Sequence, residues 1–279
     1  MSRGKGPQVT RFVLIMAILG ALLAAVWISS STSDRVPAPP PVEDLAPQSL
    51  TVQVLETMPH DPKAYTQGLV WYEGLLYEST GQYGQSTLRR VDPATGEVLS
   101  SRELSPEFFG EGLARIENRL IQLTWREGTA FVWDREQFTE HERHRYEGEG
   151  WGLCFDGRHL VMSDGSSVLT FRDPDTFQIV REVEILLRDG AVGRLNELEC
   201  AQGWIYANVY TTDWIVQIDP QLGRVRGLID ASGLLSSDES RTADVLNGIA
   251  FDEESQVFYL TGKLWPSLFA VRFIGGDED

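Results

Sequence analysis

Five times along the chain a polar or aromatic residue followed by Gly-hydrophobic or Glu-hydrophobic opens a run of alternating, strand-like segments: Gln67-Gly68-Leu69, Glu111-Gly112-Leu113, Trp151-Gly152-Leu153, Asn196-Glu197-Leu198 and Asn247-Gly248-Ile249. The starts lie 44, 40, 45 and 51 residues apart, within the range of radial β-repeats built from four strands per unit. A unit of that size cannot bury its own apolar face, so each must be covered by its neighbours. The period predicts an all-β fold, a five-bladed β-propeller.

The first four repeats each carry a second marker in the last third: Val91-Asp92-Pro93, Trp133-Asp134, Arg172-Asp173-Pro174 and Ile218-Asp219-Pro220. Asp accepts backbone N–H bonds just downstream and Pro presets φ for the next turn position, so these markers are expected to join a third strand to a fourth. The fifth repeat ends one strand short, at Phe273 before Gly275-Gly276-Asp277-Glu278-Asp279. Residues 51–58 (Thr-Val-Gln-Val-Leu-Glu-Thr-Met) alternate with period two and belong to no repeat. They are expected to complete the last blade, which closes the ring and covers otherwise open strand edges. The longer fourth spacing is accounted for by the polar, Ser-rich stretch 232–244, read as a loop insertion.

Ahead of the repeats, Arg3, Lys5 and Arg11 lead into the apolar run 12–28. This predicts an N-terminal membrane or signal helix within residues 1–31, a signal anchor or a cleaved signal peptide, with the basic flank inside and the remainder exported to a periplasmic or other extracytoplasmic space. A Pro- and Ser-rich tether follows over 32–49 and the propeller domain spans 50–279. The whole chain has a formal charge of −17. Four of its basic residues, Arg3, Lys5, Arg11 and Arg35, sit in the leader region, so the exported part is still more acidic and nucleic acid is excluded as a partner. Cys154 and Cys200 fall three and four residues after their repeat starts. That odd offset leaves a disulfide between neighbouring blades and two buried thiols as equal alternatives. With only four histidines and no Cys-x-x-Cys, zinc ligation is disfavoured.

Inner strands of a propeller start around one mouth of the central channel, so equivalent residues of the repeats meet there. That gathers Gln67, Glu111, Trp151, Asn196 and Asn247, with Tyr65, Phe109, Trp125 and Tyr210 close by: an aromatic-walled pocket holding few polar groups. A carboxylate at Glu111 either caps backbone donors or, lifted by burial, moves protons. The amides either satisfy one another or hold a ligand, and the aromatic residues either fill the core or stack on a substrate. Lys263 is either a turn lysine or a donor reaching the axis. Asp164 and Asp213 sit in turn-like contexts that match no complete calcium loop, and no serine nucleophile paired with histidine is evident.

The ordered motifs Ala64-Tyr65-Thr66-Gln67-Gly68-Leu69, Glu78-Ser79-Thr80-Gly81-Gln82-Tyr83-Gly84, Phe109-Gly110-Glu111-Gly112, Gln122-Leu123-Thr124-Trp125, Gly148-Glu149-Gly150-Trp151-Gly152-Leu153, Leu195-Asn196-Glu197-Leu198-Glu199, Ala207-Asn208-Val209-Tyr210, Val245-Leu246-Asn247-Gly248-Ile249-Ala250 and Thr261-Gly262-Lys263-Leu264-Trp265-Pro266 resemble the plant-type (papaya-type) glutaminyl-peptide cyclotransferases and their bacterial members. The resemblance covers residues 51–273. It implies a five-bladed propeller enzyme that converts the N-terminal glutaminyl residue of peptides or proteins to pyroglutamate with release of ammonia. It also implies a zinc-independent reaction with no cofactor required for the chemistry, leaving room for a structural cation. Glu111 would be the proton shuttle and Gln67, Phe109, Trp125, Trp151, Asn196, Tyr210 and Lys263 the substrate-binding residues. Tyr65 and Tyr210 stand where Phe and Trp are commoner. Two rival readings remain at this level: a metal-assisted, lactonase-like propeller hydrolase, and a non-catalytic envelope propeller that binds another protein.

Overall fold

A computed structural model describes residues 46–188 and 190–275. The segment expected at 1–31, and the tether up to residue 45, lie outside the described residues. Strand β1 (Gln48–Pro59) comes first. A first group follows, β2 (Thr66–Tyr72), β3 (Leu75–Thr80), β4 (Thr87–Asp92) and β5 (Glu97–Glu103), then a second, β6 (Gly110–Ile116), β7 (Arg119–Thr124), β8 (Thr129–Asp134) and β9 (Glu140–Arg145). The third is β10 (Leu153–Phe155), β11 (Leu160–Met162), β12 (Val168–Arg172) and β13 (Ile179–Glu184), followed by the short hairpin β14 (Leu186–Leu187) and β15 (Gly190–Ala191). Last come β16 (Leu195–Ala201), β17 (Trp204–Val209), β18 (Trp214–Ile218), β19 (Val225–Asp230), β20 (Leu246–Asp252), β21 (Val257–Gly262) and β22 (Ser267–Gly275). The structure is all-β; a single 3-10 turn, Glu239–Arg241, is the only helical segment among the described residues.

The first three groups are separate four-stranded antiparallel sheets. The last two share one sheet of order β16-β17-β18-β19-β1-β22-β21-β20. Here β1 runs antiparallel to β22 along nearly its whole length and parallel to β19 at its start. The N-terminal strand thereby supplies the strand that the fifth repeat lacks. The first strands of the groups pack in a closed order: β2 on β6, β6 on β10, β10 on β16, β16 on β20 and β20 on β2. These inner strands are buried along most of their length, whereas the outer strands β5, β9 and β13 are mostly exposed. Charged residues such as Glu97, Arg102, Glu140 and Arg143 line the outer edges, which blunts pairing with another chain.

The repeat signature has a steric origin. A Cβ on Gly112 would lie 2.5 Å from the Leu153 nitrogen, and one on Gly152 would collide with the Asn196 carbonyl. Glycine after the first repeat residue is what lets one inner strand approach the backbone of the next. The fourth repeat has Glu197 at that place, fully buried, and its carboxyl accepts hydrogen bonds from Ile249 N at 2.8 Å and Leu69 N at 3.3 Å. It satisfies backbone donors of two other inner strands that have no ladder partner there. The Asp markers work as turn residues: Asp92 Oδ1 accepts from Ala94 N, Asp134 Oδ1 from Glu136 N and Gln137 N, and Asp219 Oδ1 from Gln221 N and Leu222 N.

Of the two alternatives for the cysteines, the disulfide is the one formed: Cys154 on β10 bonds Cys200 on β16, with Cα atoms 5.5 Å apart. The odd offset is what such a bridge needs, because neighbouring sheets turn opposite faces to each other: Cys154 packs with Leu195 and Leu198 while its neighbours Leu153 and Phe155 pack in the preceding cluster, and Cys200 lies on the Leu198 face of β16.

Candidate active site

The starts of the inner strands form a cup whose base is polar and whose wall is aromatic. Gln67, Glu111, Asn196, Asn247 and Lys263 are all at most 4% exposed, whereas Phe109, Trp125, Trp151 and Tyr210 are only partly buried. Glu111, near the start of β6, accepts a hydrogen bond from Gln67 Nε2 at 2.9 Å. The Gln67 amide is held in that sense by its other end. Its Oε1 accepts from Lys263 Nζ at 2.6 Å and from Asn247 Nδ2 at 3.2 Å, and Asn247 Nδ2 also donates to Thr66 O at 3.0 Å. An ammonium can only donate, so Gln67 must turn its oxygen to Lys263 and its NH2 to Glu111. Asn196 Oδ1 is buried with no hydrogen-bond partner in the protein.

Burial raises the Glu111 pKa well above its ordinary value. The nearby carboxylates Glu149 and Glu127 push it the same way and the Lys263 charge opposes them. Burial also lowers Lys263, to about 8, against the pull of Glu111 and Asp244. Both groups are therefore brought toward the range in which a proton can be taken up and returned near neutral pH.

Around this base, Phe109 packs edge-to-face on Trp125 (centroids 5.5 Å apart), Tyr83 (5.3 Å) and Tyr65 (6.2 Å). Trp151 meets Tyr210 edge-to-face at 5.5 Å. The Lys263 ammonium lies 4.9 Å from the Tyr65 ring centre and 5.1 Å from that of Tyr210. The structure thus brings all eight residues singled out in the sequence to one end of the inner strands.

Four further residues organise the wall and were given no role from the sequence: Glu149, Arg126, Glu127 and Tyr83. Glu149 Oε2 accepts from both indoles, Trp125 Nε1 at 2.7 Å and Trp151 Nε1 at 3.0 Å. Its other oxygen pairs with Arg126 at 3.0 Å, and the Arg126 guanidinium lies 3.7 Å from the Trp125 ring centre. Glu127 accepts from the Tyr83 hydroxyl at 2.8 Å and from Phe109 N at 3.3 Å. The signals were motif membership, Glu149 two residues before Trp151 and Tyr83 in Glu78-Ser79-Thr80-Gly81-Gln82-Tyr83-Gly84; Arg126 and Glu127 carry none.

A cavity of about 730 Å³ opens at the opposite end of the inner strands, among Tyr72, Arg115, Asp156, Glu199 and Asp252, with the disulfide on its wall. Volume alone would direct attention there. The other mouth is where a buried carboxyl, oriented polar groups and aromatic faces converge. Among the described residues no three His, Cys, Asp or Glu side chains are gathered so as to hold a metal ion.

Comparison with known proteins agrees with the motifs. The sequence profile of the glutamine cyclotransferase family matches residues 21–273, reaching further toward the N-terminus than the motifs. The chain is 39% identical over 236 residues to a glutaminyl-peptide cyclotransferase of Arabidopsis thaliana, covering 82% of this chain and 73% of the relative. Among solved structures, the glutaminyl cyclase of Myxococcus xanthus superposes with a TM-score of 0.76 at 42% identity, over 83% of this chain and all of that one.

Proposed function

Because this chain belongs to the glutamine cyclotransferase family and is a glutaminyl-peptide cyclotransferase, we propose that Glu111 relays the single proton that cyclisation of an N-terminal glutamine requires. The α-nitrogen attacks the side-chain carboxamide carbon of the same residue, a C–N bond forms, and the original C–NH2 bond breaks to release ammonia. The attacking nitrogen must shed a proton and the leaving nitrogen must gain one. One carboxyl within reach of both can do this without net change. The observation that carries the proposal is a buried carboxyl with raised pKa, held by an amide whose orientation Lys263 and Asn247 dictate.

The rest of the cup orders the substrate. Nucleophile and electrophile share one residue, so the main task is to fold the side chain back on itself and exclude water. We assign the wall of Phe109, Trp125, Trp151 and Tyr210 to that task. Lys263 spends one N–H on Gln67 and has two left to meet the carboxamide oxygen as it gains negative charge. The unpaired Asn196 oxygen accepts from the carboxamide NH2 or the α-amine.

We also read the five groups of strands as five propeller blades, closed by β1, and place this domain outside the cytoplasm behind the apolar run 12–28. The chemistry needs no metal or organic cofactor in this scheme, because both proton transfers and the charge stabilisation fall to side chains. The test of function is incubation of the protein with a Gln-initiated dipeptide and its Asn-initiated counterpart, with and without chelator, following ammonia. Asn could close only a strained four-membered ring, so ammonia is expected from the Gln peptide alone, at the same rate with chelator. Ammonia from neither peptide, or a rate abolished by chelator and restored by metal, would overturn the scheme.

A further inference from the structure

The insertion at 232–244 has no part in the chemistry above, yet it stands beside the cup. It follows β19 and runs into Asp244, whose N–H donates to Lys263 O at 2.8 Å and whose carbonyl accepts from Trp265 Nε1 at 2.8 Å. It is fixed in place. Leu234, Leu235 and Ala243 pack against the core cluster that holds Ala231 and Trp265, and Glu239 accepts from Ser267 Oγ at 2.8 Å. Between the insertion and the β17–β18 turn lies a second cleft of about 270 Å³. Leu234, Leu235 and Trp265 give it an apolar floor, and the exposed Asp213 and Asp244 stand at its border. Asp213 is three residues beyond Tyr210 and Asp244 is bonded to the backbone of Lys263, so the cleft shares its rim with the cup.

A glutaminyl substrate is always the first residue of a longer chain. Its side chain and α-amine point into the cup, so its own carbonyl and everything after it must leave across the rim. We infer that this cleft receives the side chain of the residue following the N-terminal glutamine, and that it favours lysine or arginine there. A long aliphatic stem suits the floor of Leu234, Leu235 and Trp265, and its cationic head meets two carboxylates. The inference rests on the cyclisation reading above. It adds a preference among peptides, set by residues that touch none of the reacting atoms.

The experiment compares kcat/KM for three tripeptide amides, Gln-Lys-Ala, Gln-Leu-Ala and Gln-Glu-Ala, with glutamine amide as the minimal substrate. Exposed charge pairs each give up to about fivefold. The Lys peptide should therefore exceed the Glu peptide by about tenfold at low salt, and the ratio should shrink toward unity in about 1 M salt, where screening acts within about 3 Å. Asp213→Asn should cut the ratio about threefold, with the Leu peptide little affected relative to glutamine amide. Leu235→Ala should lower the Lys and Leu peptides together relative to glutamine amide. Equal rates for the Lys and Glu peptides, or a preference untouched by Asp213→Asn and by salt, would overturn the cleft assignment while leaving cyclisation standing. No turnover of any of the four compounds would overturn the cyclisation reading itself.

Discussion

Replacing Glu111 by Gln separates proton transfer from every other property of the site. The exchange is close to isosteric, and an amide oxygen at the same place still accepts from Gln67 Nε2, the 2.9 Å bond of the native site. Substrate binding should therefore change little, with KM within about threefold of the wild type. What is lost is a group that takes a proton from the attacking nitrogen and hands it to the leaving one. General acid–base catalysis is worth about 10²–10⁴-fold; with both halves of the transfer assigned to one carboxyl and water kept out by the aromatic wall, the upper part of that range applies. The expected fall in kcat is about 10³–10⁴-fold, or about 4–5.5 kcal/mol in the barrier. Stability should be nearly unchanged. Burial already penalises the Glu111 charge, and the neutral amide removes that penalty while adding donors that cost about 1 kcal/mol if one goes unpaired. The assay is continuous ammonia detection with a Gln dipeptide, beside thermal unfolding followed by circular dichroism. A variant that folds normally and keeps more than about a tenth of wild-type kcat would refute the reasoning, since Glu111 would then not be the group that carries the proton.

Lys263 at a pKa of about 8 predicts that kcat falls as pH rises through that value, because the ammonium that holds Gln67 and meets the oxyanion is lost; Lys263→Met should abolish this alkaline limb at a plateau about 10²-fold lower, and a limb that persists in the variant would assign it elsewhere. Glu149→Ala frees both indoles, so KM should rise about tenfold with kcat changed less and tryptophan emission should shift, whereas Glu149→Gln, still an acceptor, should recover part of the loss. Glu78 is fully buried and pairs with Arg89 and, at 3.1 Å, with His60, so Glu78→Gln should cost about 3–5 kcal/mol in urea unfolding. Burial opposes the Glu78 charge, but Arg89 and His60 outweigh it and hold its pKa below the ordinary 4.5, so its stabilisation is present above that value and is lost as pH falls through the folded pKa. Burial likewise opposes the His60 charge and Glu78 outweighs it, so the His60 stabilisation is complete below pH 6.5 and is lost as pH rises through its raised pKa. Both dependences should weaken in Glu78→Gln, and an unchanged stability profile would contradict the pairing.

What could be read in the chain beforehand, and what could not, divides along physical lines. The repeat was legible because close approach of inner strands forces glycine at Gly112 and Gly152, and because Asp92, Asp134 and Asp219 hold their turns through local bonds to N–H groups two or three residues on. The polar base was legible because Gln67, Glu111, Asn196 and Asn247 occupy equivalent places in different repeats. Groups whose roles depend on non-equivalent partners left no such mark. Glu149 reaches Trp125 across 24 residues and Tyr83 reaches Glu127 across 44, and neither pair has a period. The cysteines were ambiguous for a related reason: counting alternation compares faces within one sheet, whereas Cys154 and Cys200 meet across two neighbouring sheets that turn opposite faces to each other.

The same distinction explains why the closure of the ring bears on the chemistry. Where β1 ends beside β22, His60 N donates to Pro266 O at 2.8 Å, His60 Nδ1 lies 2.7 Å from Trp265 O, and Leu264 N donates to Ala64 O at 2.7 Å. The loops carrying Gln67 and Lys263 are thereby clasped from opposite ends of the chain. From that clasp a chain of hydrogen bonds runs through His60 and Glu78 to Thr66, whose hydroxyl donates to Glu78 at 2.7 Å and whose carbonyl accepts from Asn247. Asn247 and Lys263 then fix Gln67, and Gln67 holds Glu111. The donor that bonds the Glu111 carboxyl is set by contacts between the first and last repeats, so the N-terminal strand bears on the geometry around Glu111 as well as covering an open sheet edge.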